Sequence, residues 1–269
     1  MAPALPLFLA GPNPRLQTVC YALESFLEFT GRWDERLSLS KRAEARAVST
    51  SDFHNAGWRA QKAAYTYYLR RQADAVLACA ERAAAHWKTA QAGPRERAAA
   101  IRSRGLGHQL KKDYPTAISE FREALELDRN LSAESAEVAI DLNWLAIAEE
   151  ESGDLAAAER DYSEALRVAR KIDHVEMMAG IPGNLAAVAL HRKNWTEAET
   201  LAREALALSE KVGRQELIAS NCHRVATALV RQAKPSEALA YAQRAVDIFT
   251  RLRSPQLESA RARLKECES

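Results

Sequence analysis

Residues 194–206 read Asn-Trp-Thr-Glu-Ala-Glu-Thr-Leu-Ala-Arg-Glu-Ala-Leu, and residues 113–125 read Asp-Tyr-Pro-Thr-Ala-Ile-Ser-Glu-Phe-Arg-Glu-Ala-Leu. Each begins inside a short turn, and the turn recurs along the chain: Gly31-Arg-Trp-Asp, Arg71-Gln-Ala-Asp, Lys112-Asp-Tyr-Pro, Gly153-Asp-Leu-Ala, Lys193-Asn-Trp-Thr and Ala233-Lys-Pro-Ser. The spacing is 40 or 41 residues throughout. Twelve residues past each turn start stands an alanine: Ala43, Ala83, Ala124, Ala165, Ala205 and Ala245. Five past it, the last four repeats place Ala117, Ala158, Ala198 and Ala238; nine past it come Phe121 and Tyr162, with Ala80, Ala202 and Ala242 elsewhere. Two helices close to packing distance only over a small side chain, so a small residue fixed at one phase signals stacked helix pairs.

Local signals agree. Asp34, Asp74, Thr196 and Ser236 are placed to cap helix N-termini, and Pro115 suits a first helical turn. The helices before the turns carry apolar residues at three- and four-residue steps, as in Leu142, Leu145, Ala146 and Leu185, Ala186, Ala189. No single pair buries both its faces, so stability must come from stacking on neighbours. The expected fold is all-α: a right-handed superhelical solenoid of about six antiparallel helix pairs, over 14–50, 54–91, 95–130, 133–172, 174–213 and 214–252. The array spans 14–254, preceded by a partly disordered strap (1–13) and closed by a polar-faced capping helix (255–269). Gly93-Pro94 breaks the chain between the second and third pairs. Gly180-Ile-Pro-Gly183 interrupts the fifth, either as a kink that bares backbone or because the helix begins after Pro182.

Composition supports helix throughout. In 269 residues with 47% hydrophobic content there are only 10 Gly, 9 Pro and 7% aromatics. The net charge of +2 hides an asymmetry: 18 Lys and Arg stand against 10 Asp and Glu over residues 1–113, and 20 against 26 over 114–269. The basic half would suit nucleic acid, but its arginines are scattered without a block of like charge, which disfavours that partner. Cys20, Cys79, Cys222 and Cys267 are widely spaced and form no C-x-x-C pair, so neither a zinc site nor a disulfide framework is indicated and the expected location is the reducing cytoplasm. Residues 1–10 are apolar but carry two prolines and no basic leader, and no stretch approaches the ~20 apolar residues of a membrane span.

The two quoted stretches resemble the second half of a tetratricopeptide repeat, more strongly in repeats three to six than in one and two. That family's usual period is about 34 residues, so 40 to 41 implies longer helices, similar to the extended variant of kinesin light chains and bacterial signalling ATPases. The proline that the family carries near the end of its second helix is absent, in keeping with helices that run on. From Ala22-Leu-Glu-Ser-Phe-Leu-Glu-Phe-Thr-Gly-Arg-Trp-Asp-Glu35 onward, the array also resembles the C-terminal sensor repeats of bacterial STAND-class (NB-ARC-type) regulators. There the repeats recognise a trigger and an upstream ATPase reports it; here no G-x-x-x-x-G-K-[ST] sequence is present to cradle phosphates.

No H-E-x-x-H, G-x-S-x-G or paired Cys/His motif offers a nucleophile, base or metal cage. His54, His86, His108, His174, His191 and His223 stand apart from one another and read as surface or packing residues, so no catalytic residue, metal or cofactor is expected. The resemblance instead implies binding in a concave groove lined by the first helix of each pair. Its inward phases are Tyr21; Trp58, Gln61, Tyr65 and Tyr68; Arg102 and Gln109; Asn143 and Glu150; Asn184; and His223, Arg224 and Thr227. Trp58, Tyr65 and Tyr68 put three amphipathic rings along one helix, either as an interface anchor or as filling between pairs two and three. The family's two-repeat clamp for a terminal carboxylate is not reproduced, because unrelated residue types occupy its Lys and Asn phases.

The expected function is therefore non-catalytic: a scaffold or sensor that binds a protein or peptide, with a separate ATPase or effector as a further partner. Two alternatives stay open, a nucleic-acid-associated regulator that uses the basic half and a regulatory subunit of a separate ATPase or protease.

Overall fold

The computed structural model describes residues 11–268. The strap expected at 1–13 falls almost wholly outside them. Every regular element among the described residues is an α-helix. The chain divides after Leu131 into two compact units.

The first unit contains α1 (Asn13–Phe29), α2 (Trp33–Ser49), α3 (Phe53–Leu69), α4 (Ala73–Thr89), α5 (Pro94–Leu110) and α6 (Tyr114–Leu131). The second contains α7 (Ala136–Ser152), α8 (Leu155–Lys171), α9 (Val175–His191), α10 (Trp195–Val212), α11 (Gln215–Arg231), α12 (Pro235–Leu252) and α13 (Leu257–Glu268). Within each unit a helix packs on its successor, and the first helices of adjacent pairs lie side by side: α3 against α5, α7 against α9, α9 against α11. The last helix, α13, packs on α12 and α11. The unit boundary thus lies between the third and fourth pairs. Across Gly93-Pro94, α4 and α5 remain packed together.

The alanine phase carries the stacking. Ala43, Ala83, Ala124, Ala165, Ala205 and Ala245 are all completely buried, as are Ala117, Ala158, Ala198 and Ala238. Where the neighbouring phase is large, the opposite helix supplies the room: a Cβ added at Gly105 would meet the Phe121 ring at 2.7 Å, and one at Gly57 would meet the Trp87 indole at 2.3 Å. The four cysteines are buried and free.

The connections obey a rule finer than the 40-residue period. Each contains one residue in the left-handed region, namely Gly31, Ser51, Arg71, Gln91, Lys112, Gly153, Asp173, Lys193, Gly213, Ala233 and Arg253, with the α6–α7 connection as the exception. The following N–H then reaches the carbonyl five residues back, as Gln72 N to Tyr67 O (3.0 Å) and Asn194 N to Ala189 O (2.9 Å), which satisfies helix-end carbonyls.

Two local expectations are corrected. Asp34, Asp74, Thr196 and Ser236 are not caps: the helices start before them, with Arg32, Gln72, Asn194 and Lys234 at the cap positions and no side-chain cap bond there. Asp34 and Asp74 sit in the first turn, where their charge complements the helix dipole. True side-chain caps include Asp52, Asp113, Ser135, Asp154 and His174. The reading in which the fifth pair starts after Pro182 also fails, because α9 runs helically through that residue.

Candidate functional site

In the first unit the inward residues scatter. Tyr21 on α1 is 78% exposed. On α3, Gln61 is half-buried, and Trp58 packs beside the Ala60, Ala83, Trp87, Ala99 and Ala100 cluster, its ring 5.1 Å from that of Trp87. Tyr65 and Tyr68 stack on each other at 6.3 Å with the Arg36 guanidinium over Tyr65. Arg102 and Gln109 of α5 belong to the interior, 8% and 2% exposed, and Arg102 donates to the buried Asp128 carboxylate at 2.6 Å. Close helix approach causes this: at Gly107, too, a Cβ would strike the Leu77 side chain at 2.5 Å.

In the second unit they converge. Asn184 Nδ2 of α9 donates to Asn143 Oδ1 of α7 at 3.0 Å, and Arg224 of α11 donates to Asn184 Oδ1 at 3.3 Å and to Asn221 Oδ1 at 3.1 Å. Gly183 makes this row possible, since a Cβ there would lie 2.3 Å from Asn221 Oδ1 and 3.0 Å from Arg224 Nη1. Glu150 closes the α7 end: the Tyr162 hydroxyl donates to it at 2.9 Å, His191 Nδ1 lies 3.5 Å away, and burial raises its carboxyl above the usual range. Thr227 donates back to the His223 carbonyl at 2.8 Å, the ordinary behaviour of a helical threonine.

Beside the row, α9, α11, α13 and the start of α10 line an open pocket of about 390 Å³ whose walls include His191, Trp195, His223, Arg224, Arg231 and Arg263. Burial, then the adjacent Arg263 and Arg224 charges, press the His223 imidazole down to about 4, so it is neutral at pH 7. Its folded value lies below its ordinary one, and the unfolded chain therefore binds the proton more readily. His223 contributes full stability above pH ~6.5 and loses it as pH falls toward ~4, a change on the order of 3 kcal/mol. Urea denaturation of wild type and His223→Gln across that window should show the wild type losing stability faster; parallel curves would refute the assignment.

Sequence reasoning missed Trp195, Arg231, Arg263 and the pairing of His191 with Glu150. Arg231 was in principle visible, being seven residues from Arg224 on one helix face, and His191 lies one repeat on from Glu150.

Residues 177–251, which cover α9 to α12, match the family model of the tetratricopeptide repeat. Over that segment the chain carries tetratricopeptide repeats. No curated protein matches it in sequence. Similar solved structures include a Rap protein complexed with competence and sporulation factor (TM-score 0.69, 13% identity, covering 94% of this chain and 75% of that one). The apo form of the quorum sensor NprR from B. thuringiensis is also similar (TM-score 0.63, 13% identity, 95% of this chain and 68% of that one). So is aspartyl phosphate phosphatase F from Bacillus subtilis (TM-score 0.61, 12% identity, 95% and 70%). At these identities the likeness is one of fold. A similar fold goes with a quorum sensor in one of these structures and with a phosphatase's name in another, so function must be argued from the site.

Proposed function

We propose that the chain is a non-catalytic recognition scaffold that binds a protein or peptide on the α7, α9 and α11 face, and serves as the trigger-sensing part of a bacterial signalling system. The carrying observation is the Asn143–Asn184–Arg224 row: amides that offer both a donor and an acceptor, set beside a guanidinium, match the alternating N–H and C=O groups of an extended chain. A separate ATPase or effector would report the binding, in the cytoplasm. No described helix is long and apolar enough to cross a membrane.

The nucleic-acid alternative is weakened in the first unit, where five of its basic residues, Arg36, Arg70, Arg82, Arg102 and Arg104, are each engaged by a carboxylate. Tagged protein recovered from its native cell should bring down a stoichiometric protein or peptide partner. Recovery of the chain alone, across growth conditions, would sink the proposal.

A further inference from the structure

The pocket beside the row has a size and a charge that a bound peptide backbone does not call for. Its walls extend along α11 from Ser220, whose hydroxyl donates to Gln256 at 3.4 Å, to Arg231 and Trp195, the latter held at that end by Gln232 donating to its carbonyl at 3.3 Å. At about 390 Å³ it is the size of a small-molecule site and not of a seat for one side chain. Three guanidiniums line it, those of Arg224 and Arg231 on α11 and of Arg263 on α13. The nearby carboxylates do not neutralise all three. Glu266 faces Arg263 at 2.5 Å and Arg231 at 3.9 Å, Glu150 acts on Arg224 from the α7 side, and Glu216, the other carboxylate that acts on Arg224, is matched by Arg214 at 4.0 Å. One positive charge is left over. Burial and the neighbouring Arg231 charge both lower the basicity of Arg263, against the pull of Glu266, so like charges are held together in a partly dry wall and an anion would relieve them. Arg263 Nε is also buried without a hydrogen-bond partner among the described residues. Guanidiniums that reach in from two helices surround a tetrahedral oxyanion better than a flat one, and guanidinium is a favoured partner of phosphate. Past them, Trp195 and Leu190 form an apolar flank where the indole face can stack a planar ring.

We propose that this pocket binds a nucleoside monophosphate, with the phosphoryl group on the Arg224, Arg231 and Arg263 guanidiniums and the base against the Trp195 indole. A single phosphate matches a surplus of one charge; a polyphosphate brings more than the wall can neutralise. The inference goes beyond the peptide reading and does not depend on it. Titration calorimetry of the full-length chain tests it, with AMP, GMP, CMP and UMP each compared with its nucleoside and with inorganic phosphate, and with ATP and O-phosphotyrosine as further probes. In parallel, the Trp195 indole N–H signal, assigned by its loss in Trp195→Phe, is followed during the same additions.

At least one monophosphate should bind tenfold or more tighter than its nucleoside and than inorganic phosphate, and should move the Trp195 signal. That affinity should fall at least tenfold in Arg231→Gln and in Arg263→Gln, and in Trp195→Ala the advantage of the nucleotide over inorganic phosphate should disappear. Melting temperatures near that of wild type show that the variants fold; where one does not, the comparison of ligands on the wild type decides. Inorganic phosphate that binds as tightly as every monophosphate makes the pocket a general anion site, and O-phosphotyrosine that binds tighter than all of them assigns it to a phosphorylated protein. Either result overturns the inference, as does ATP binding tighter than the monophosphates. Absence of binding by any monophosphate, or affinity unchanged in both arginine variants, overturns it as well. Co-purification judges the peptide face separately, so the two readings can fail independently.

Discussion

Replacing Asp128 with alanine should lower the unfolding free energy by about 3–5 kcal/mol, because it strips the buried Arg102 guanidinium of the carboxylate it faces while leaving the cation in place. The pair is held at 2.6 Å with Asp128 2% and Arg102 8% exposed, so water is poorly placed to take over. Urea denaturation of the single variant measures the loss. The double variant Arg102→Met, Asp128→Leu removes both charges and fills the space with apolar atoms, and should return to within about 1–2 kcal/mol of wild type. A loss below ~1 kcal/mol in Asp128→Ala would mean that the pair is solvated after all, the regime of surface ion pairs.

Arg224→Ala should weaken binding of the co-purified partner by about 2–4 kcal/mol, a factor of roughly 30 to 1,000, which is the range for truncating one member of a desolvated charged contact. Arg224 donates to two asparagines at once and also borders the cationic pocket, so its loss disorders the row and removes a charge together. Burial lowers its basicity, with Glu150 opposing that shift, yet a guanidinium stays protonated in proteins, so the effect should be flat with pH around neutrality. Arg224→Lys keeps the charge but loses the fork, and should recover only part of the affinity in titration calorimetry. Equal affinity for wild type and Arg224→Ala would place the partner on another surface.

The helix pairs were legible in the sequence because the alanine phase is a direct record of contact distance: no other property of residues 43, 83, 124, 165, 205 and 245 requires one residue type. The inward phases were legible where α7, α9 and α11 lie side by side, which brought Asn143, Asn184 and Arg224 together as the period implies. They failed on α5. There Ala98, Ala99, Gly105 and Gly107 let neighbours approach so closely that Arg102 and Gln109 are enclosed, and neighbour size is not visible in the phase of a residue itself. Arg263 had no phase to read, because α13 follows the last repeat. The caps were misplaced by two residues for a related reason: the left-handed turn residue, which sets where each helix begins, is a glycine in only three of the eleven connections that have one.

The alanine stack has a consequence for how such a chain acquires a new partner. Alanine loses no rotamer freedom on folding and reaches no solvent here, so the contacts that keep the helices together say nothing about what the molecule recognises. On the proposed reading, recognition is written in a separate layer, by side chains such as Asn143, Asn184 and Arg224 that stand on the first helices. Cohesion and specificity can then vary independently, and a change of ligand requires rewriting a few positions on a scaffold that does not register the edit.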